Sequence, residues 1–174
     1  MNRRTSLVLL TLLVLFALAA TAEEAQKPAG QTIDPLANNK AKSAEFFAKL
    51  DAEPGVKKLP SGLRIRMTQD GTGPSPASTD TVSVHYRGSF LDGKEFDSSY
   101  RGGKPIQFSL MEVIPCWTEG LQLIQTGGKA TLWCPSEIAY GNSGRPPIPP
   151  GATLQFEVEL IEIAGGAATP KPSR

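Results

Sequence analysis

Histidine is nearly absent from this chain: His85 is the only one among 174 residues. With two cysteines, that leaves no His/Cys/Asp/Glu group at the spacing of a metal site. No G-x-S-x-G stretch and no glycine loop that could cradle a phosphate occurs. His85 falls opposite Val84 and Tyr86 in an alternating segment, which makes it a structural residue rather than a catalyst. Acid–base, nucleophilic and metal-assisted chemistry are therefore poorly supported. An excess of charge is missing as well, with 18 basic and 17 acidic residues. Nothing advertises binding to nucleic acid or to a membrane surface. Long apolar runs are confined to one place, Leu7 to Ala20, which is too short for a stable membrane span.

That run follows Arg3 and Arg4 and ends in Ala20-Thr21-Ala22, small residues at cleavage spacing. Residues 1–22 read as a secretory signal peptide cut after Ala22, with no membrane insertion after cleavage. No cysteine follows the run, so lipid attachment is not expected there. Loss of the two arginines leaves 16 basic against 17 acidic residues, a net charge of −1. A periplasmic or secreted location follows. In an exported protein an isolated pair such as Cys116 and Cys134 invites a disulfide. The alternative is two small buried hydrophobes, and the sequence supplies no distance with which to choose.

Residues 23–37, rich in Ala, Gln, Pro and Gly, read as a flexible lead-in. Asn38 or Asn39 can cap a short helix over Lys40 to Leu50, with Ala44, Phe47 and Leu50 on one face and Phe46 adjacent. Pro54-Gly55 stops it, and residues 38–60 form this helix and a linker. Strands follow: Leu63 to Gln69, Thr81 to Phe90, Lys129 to Cys134, and a last one carrying Leu154, Phe156, Val158 and Leu160 on one face. Asp92-Gly93 signals a turn. One-sided alternation implies an antiparallel sheet with one wet face. The helical candidate inside the domain is Thr118 to Gln125, whose Leu121 and Ile124 would cover the sheet. The expected class is α+β, a twisted antiparallel sheet with one short helix packed on it. Residues 164–174, with Gly-Gly and two prolines, read as a loose tail. Trp133 should project from the outer face of its strand as a half-exposed aromatic, a contact patch for unfolded clients at most.

Aromatic residues carry the functional signal. Tyr86, Phe96, Phe108, Trp117, Tyr140 and Phe156 each stand next to a strand or turn. Six such residues in a small domain ordinarily make core. Two features point elsewhere: Phe96 is followed at once by Asp97, and Tyr140 sits in the stiff Gly/Pro loop "AYGNSGRPPIPPG". The stretches "VSVHYRG", "DGKEFDSS", "VIPCWTEGLQ", "AYGNSG" and "IPPGATLQFEVEL" resemble, in order and spacing, the FKBP-type peptidyl-prolyl cis-trans isomerases. The likeness runs from Ser61 to Ile163 and sets the domain at 61–163. "EFFAKLDAEPGVKKLPSGLRIRM" is similar to the domain entry in the exported bacterial branch related to macrophage infectivity potentiators. That branch dimerises through a longer helical region, so a monomer is expected here.

The resemblance implies a half-barrel sheet wrapped around one short helix, with the ligand groove between them. It implies Trp117 as the pocket floor beneath a substrate prolyl ring. Tyr86, Phe96, Phe108, Val113, Ile114, Ile148 and Phe156 become walls. The Tyr140 hydroxyl would reach a substrate carbonyl, Asp97 the polar pocket edge, and the Ile114 N–H a further donor. The catalytic set is thus Asp97, Tyr140, Trp117 and Phe96. The chain departs from the family pattern at Ile106, where an aromatic wall is common, at Cys116 and at Arg145-Pro146-Pro147. The resemblance places Cys116 at the start of the helix and Cys134 inward beneath it, an arrangement compatible with a helix-to-sheet disulfide in an oxidising compartment, and the redox state stays open at this point. The implied activity is X-Pro isomerisation in proline-containing exported polypeptides. Macrolides would inhibit it, and no cofactor is expected, because rotation about a bond needs none. A peptide-binding or chaperone module of the same fold with little turnover is the second reading.

Overall fold

The computed structural model describes residues 34–164. The expected signal peptide, residues 23–33 of the lead-in and residues 165–174 of the tail lie outside them. Helix α1 spans Pro35–Leu50, so it begins at Pro35 rather than Lys40 and takes in the end of the expected lead-in. Its cap is Asp34, whose carboxylate accepts from the Leu36 N–H at 3.1 Å. Pro35 fits the first turn, where its missing N–H would have had no partner. Asn39, one of the two expected caps, instead donates its side-chain amide to the Pro150 carbonyl at 2.8 Å. Phe47 and Leu50 are buried as expected, but Ala44 is exposed.

The strands are β1 (Lys57–Lys58), β2 (Arg64–Gln69), β3 (Thr81–Phe90), β4 (Glu95–Ser98), β5 (Ile106–Ser109), β6 (Lys129–Cys134) and β7 (Leu154–Ala164). They form one sheet in the order β1-β2-β6-β7-β3-β4, with β5 also pairing with β3. Every pair is antiparallel. In register, Tyr86 lies across from Val158, Gly88 from Phe156, and Leu132 from Phe156 on the other side. With a period of two, this places the apolar side chains of β3, β6 and β7 in one core. The α+β architecture is the expected one.

Helix α2 is Pro115–Leu121, earlier at both ends than Thr118 to Gln125. Ile114 is extended and Pro115 takes the first helical position, so Cys116 and Trp117 sit in the first turn. Leu121 and Ile124 are fully buried against the sheet. A Cβ at Gly120 would stand 2.9 Å from Leu132 Cδ1, so glycine is what lets the helix approach β6 this closely. Cys116 and Cys134 form the helix-to-sheet disulfide, with Cα atoms 5.7 Å apart and a separation of 18 positions in sequence. Closing a loop of that length contributes about 3 kcal/mol.

Trp133 corrects the sequence reading. It does face outward from β6, but it is only 3 % exposed. α1 lies over it, and Phe47, Leu50 and Trp133 make a second apolar cluster. The Trp133 indole N–H donates to Gln155 Oε1 at 2.8 Å. Arg64 binds both Asp51 carboxylate oxygens, at 2.8 and 2.9 Å, while its guanidinium sits 3.9 Å from the Phe47 ring centroid. The outer face is therefore not uniformly wet, and Trp133 offers no contact patch.

Candidate functional site

Where the inner sheet face, the turn before α2 and the loop after β6 converge, they leave a cavity of about 260 Å³. Its lining grades from apolar to charged. Trp117, Phe156 and Tyr86 form the base, 4, 4 and 6 % exposed. Phe96, Phe108, Val113, Ile114 and Tyr140 are half-buried walls. Asp97, Glu112 and Arg145 are exposed at the rim.

The base is an edge-to-face aromatic cluster. The Trp117 ring centroid stands 5.1 Å from that of Tyr86 and 5.3 Å from those of Phe108 and Phe156, with interplanar angles of 83°, 85° and 84°. Phe96 meets Phe156 edge to face at 5.7 Å. Such pairs contribute about 0.5–1.5 kcal/mol each beyond burial and hold one another's ring orientation. β3 supplies Tyr86, β7 supplies Phe156, β4 supplies Phe96 and Asp97, and α2 supplies Trp117. The sheet register thus assembles a site from residues distant in sequence.

Two polar features stand in this apolar setting. The Tyr86 hydroxyl donates to Asp97 Oδ2 at 2.6 Å, and the Ser98 N–H donates to Asp97 Oδ1 at 2.8 Å. The carboxylate is fixed at the cavity edge by both oxygens. Burial, then the hydrogen bond to Asp97, hold the Tyr86 phenol far above its usual range, so it stays a proton donor. The Trp117 Nε1 is buried without a hydrogen-bond partner among the described residues. An unmet donor costs about 1–3 kcal/mol. A phenylalanine would avoid that cost, so stability alone does not account for an indole here.

Nine of the ten expected binding and catalytic residues line this one cavity. Ile148 is the exception: it is 7 % exposed, lies in the same core cluster as the cavity base and is not among the lining residues. Ile106, the expected departure from an aromatic wall, is 39 % exposed and outside the lining. Glu112 and Arg145 were not foreseen as lining. Their signal was available, since Glu112 adjoins Val113 and Arg145 lies in the tyrosine loop. The Ile114 N–H has no backbone acceptor among the described residues. His85 lies apart from the cavity, its Nδ1 3.0 Å from Ser99 Oγ and its ring stacked on Tyr100. Among the described residues no group of three His, Cys, Asp or Glu side chains could hold a metal ion. Larger hollows exist elsewhere, but the one beside α1 has a mixed polar and apolar lining in which Phe90 is the single aromatic residue, so it has no such aromatic base.

Residues 73–161 match the family model described as "FKBP-type peptidyl-prolyl cis-trans isomerase". The chain is similar to the FKBP-type peptidyl-prolyl cis-trans isomerase FkpA of Escherichia coli strain K12, 49 % identical over 127 residues, which cover 73 % of this chain and 47 % of the relative. It is also similar to the FKBP-type 22 kDa isomerase of the same strain, at 43 % over 148 residues, covering 84 % of this chain and 70 % of that one. The outer membrane protein MIP of Legionella longbeachae is 42 % identical over 130 residues, covering 74 % and 56 %. The crystal structure of E. coli FkpA superposes with a TM-score of 0.72 at 48 % identity, covering 74 % of this chain and 60 % of that chain. The chain spans about half the length of the first of these relatives.

Proposed function

Because this chain belongs to the FKBP-type peptidyl-prolyl cis-trans isomerase family, we propose that it accelerates cis-trans isomerisation of X-Pro bonds in unfolded exported polypeptides. The observation that carries this reading is the convergence of Tyr86, Phe96, Asp97, Trp117 and Tyr140 on one aromatic-based cavity. An X-Pro bond turns slowly because amide resonance must be broken, against a barrier of roughly 18–20 kcal/mol. No covalent bond is made or cut. The site has only to favour the twisted amide over the planar one. The planar amide carries charge separation between oxygen and nitrogen, and the twisted amide has lost much of it. An apolar base therefore raises the planar form relative to the twisted one, at about tenfold in rate per 1.4 kcal/mol.

In this reading the prolyl ring rests on Trp117 between Tyr86, Phe108 and Phe156. The Tyr140 hydroxyl and the Ile114 N–H hold flanking carbonyls and fix the rest of the peptide while the bond rotates. Asp97, anchored by Tyr86, marks the polar edge at which the amide turns. The orphan Trp117 donor supports a functional reason for the indole. Macrolides of the family's inhibitor class would compete for the same cavity.

The N-terminal pattern supports export to the periplasm with cleavage after Ala22. No helix among the described residues is long and apolar enough to cross a membrane. A protease-coupled assay on an X-Pro peptide, with and without a macrolide, tests the activity. Asp97→Val and Tyr140→Phe should each lower turnover by about tenfold or more while the circular dichroism spectrum stays unchanged. A wild-type rate equal to the uncatalysed one would instead favour a peptide-binding module.

A further inference from the structure

Next to the aromatic cavity lies a larger hollow of about 690 Å³ with no part in the site so far described. Leu110, Met111, Val113, Pro115, Gln122 and Ile138 are among its lining residues. Val113 lines both hollows, so the two adjoin across one side chain. Met111 is 72 % exposed, more than any other large apolar side chain among the described residues. Pro115 beside it is exposed as well. With the half-buried Val113 and Ile138 they make a contiguous apolar patch beside a binding cavity, and contiguous apolar patches are where partners dock.

The polar side chains that α2 turns towards this hollow are already committed, while Ser78 and Thr79 stand at its edge. The Thr118 hydroxyl donates to the Leu110 carbonyl at 2.7 Å, and the Gln122 amide donates to the Thr118 carbonyl at 2.6 Å. The Ser61 hydroxyl donates to the Glu119 carboxylate. Most of what remains to be recognised is apolar surface, and its most exposed side chain is Met111. An unbranched thioether adapts to side chains of different shape.

We propose that this hollow is a second subsite for the substrate chain, one that takes an apolar side chain of the leucine, methionine or phenylalanine class close to the proline. The inference rests on the isomerase reading and extends it. The occupant is the same unfolded polypeptide, because the hollow continues the cavity across Val113. At about 3.3 Å per extended residue, a chain crosses one valine within two or three residues of the proline. Binding at a remote subsite can be used to hold the rotating bond in place, so peptides lacking the apolar residue are turned over less well.

The test compares kcat/KM for three blocked peptides: a short X-Pro peptide and two longer ones with leucine within three residues of the proline, on its N-terminal or its C-terminal side. One of the longer peptides should be the better substrate. Met111→Ser should lower its kcat/KM about five- to tenfold, the loss of one or two buried methylenes, and leave the short peptide within about twofold. Leu123→Ser, an exposed leucine outside the hollow, should change neither. Equal effects of Met111→Ser on all three peptides, or none on any, overturn the proposal. A second readout does not need turnover. In protein labelled with 13C at the methionine methyls, the longer peptide should shift the Met111 resonance, assigned by its loss in Met111→Ser, and the short peptide should not. If that shift occurs in a protein that isomerises no peptide, the isomerase reading fails and the subsite stands. If the short peptide is turned over and Met111 neither shifts nor matters, the subsite alone fails. A Met111 shift that tracks protein concentration without peptide assigns the face to a second copy and overturns the proposal.

Discussion

Replacing Gly88 with alanine adds one methyl group at the seam between two walls of the cleft. A Cβ at that position would stand 2.7 and 2.8 Å from Phe96 Cζ and Cε2, and 3.0 Å from Phe156 Cε1. Carbon atoms settle about 3.5–4.0 Å apart, so both rings must retreat by roughly 0.5–1 Å. Gly88 is not among the glycines with positive φ, so its backbone accepts alanine without strain. The loss of unfolded-state freedom stabilises by about 0.4–1 kcal/mol, whereas overpacking costs about 1–3 kcal/mol. The second effect wins by about 1 kcal/mol, a fall in Tm of roughly 4 °C. Catalysis should suffer more, because a displacement near 1 Å in a positioning group can cost up to about a hundredfold. The expected result is at least about a tenfold loss of kcat/KM in the protease-coupled assay, at a temperature where circular dichroism shows the variant folded. A Gly88→Ala protein with wild-type kcat/KM and Tm would refute the argument that Phe96 and Phe156 are held in place by the missing Cβ.

Other perturbations probe other parts of the fold. Cys116→Ser with Cys134→Ser should lower stability in urea by about 3 kcal/mol, and intact mass after alkylation should show both native thiols blocked until reduction; an unchanged urea midpoint contradicts the staple between α2 and β6. Arg64, by its hydrogen bonds, holds the Asp51 carboxyl down at about 2, from an ordinary 3.8. A depressed carboxylate contributes stability that is present above 3.8 and lost as pH falls towards about 2. Because Asp51 is partly exposed, that contribution is about 1 kcal/mol. Asp51→Asn should flatten the stability profile across this window, and a profile as steep as wild type would speak against the pairing. Trp133→Ala should cost about 3–5 kcal/mol and loosen α1, while kcat/KM of the folded fraction stays within about twofold; a small change in the urea midpoint would mean α1 does not depend on Trp133.

The strands that were legible are those with one buried face. β3 and β6 begin and end where alternation places them, because each lies between paired neighbours and over the core. β1 is two exposed residues, β5 is half-exposed, and β4 is only four residues long with no alternation of buried and exposed positions, so burial imposes no period on them. For α2, periodicity finds Leu121 and Ile124 but not the first turn, whose start is set by Pro115 after the extended Ile114. Alternation gives Trp133 its correct, outer face but not its environment, because what covers it is the apolar side of α1, where Phe47 and Leu50 must bury against something. The site itself did not come from periodicity. Spacing cannot distinguish Phe96 or Tyr140 from core aromatics, and the family likeness supplied their roles. Ile148, a wall by the same likeness, is buried in one apolar cluster with Trp117 and Phe156 and stands behind the lining. Glu112 and Arg145 went unread because exposed charges carry no pattern until the loops are placed.

The central claim is that the aromatic base holds a substrate prolyl ring while its peptide bond rotates. Exchange spectroscopy on a proline peptide with a sub-stoichiometric amount of protein, recorded together with intermolecular NOEs, tests it directly. The account predicts cis-trans exchange well above the spontaneous rate, with NOEs from the prolyl ring protons to the Trp117 indole. Spontaneous-rate exchange, or accelerated exchange with the ring contacting some other part of the protein, would contradict it.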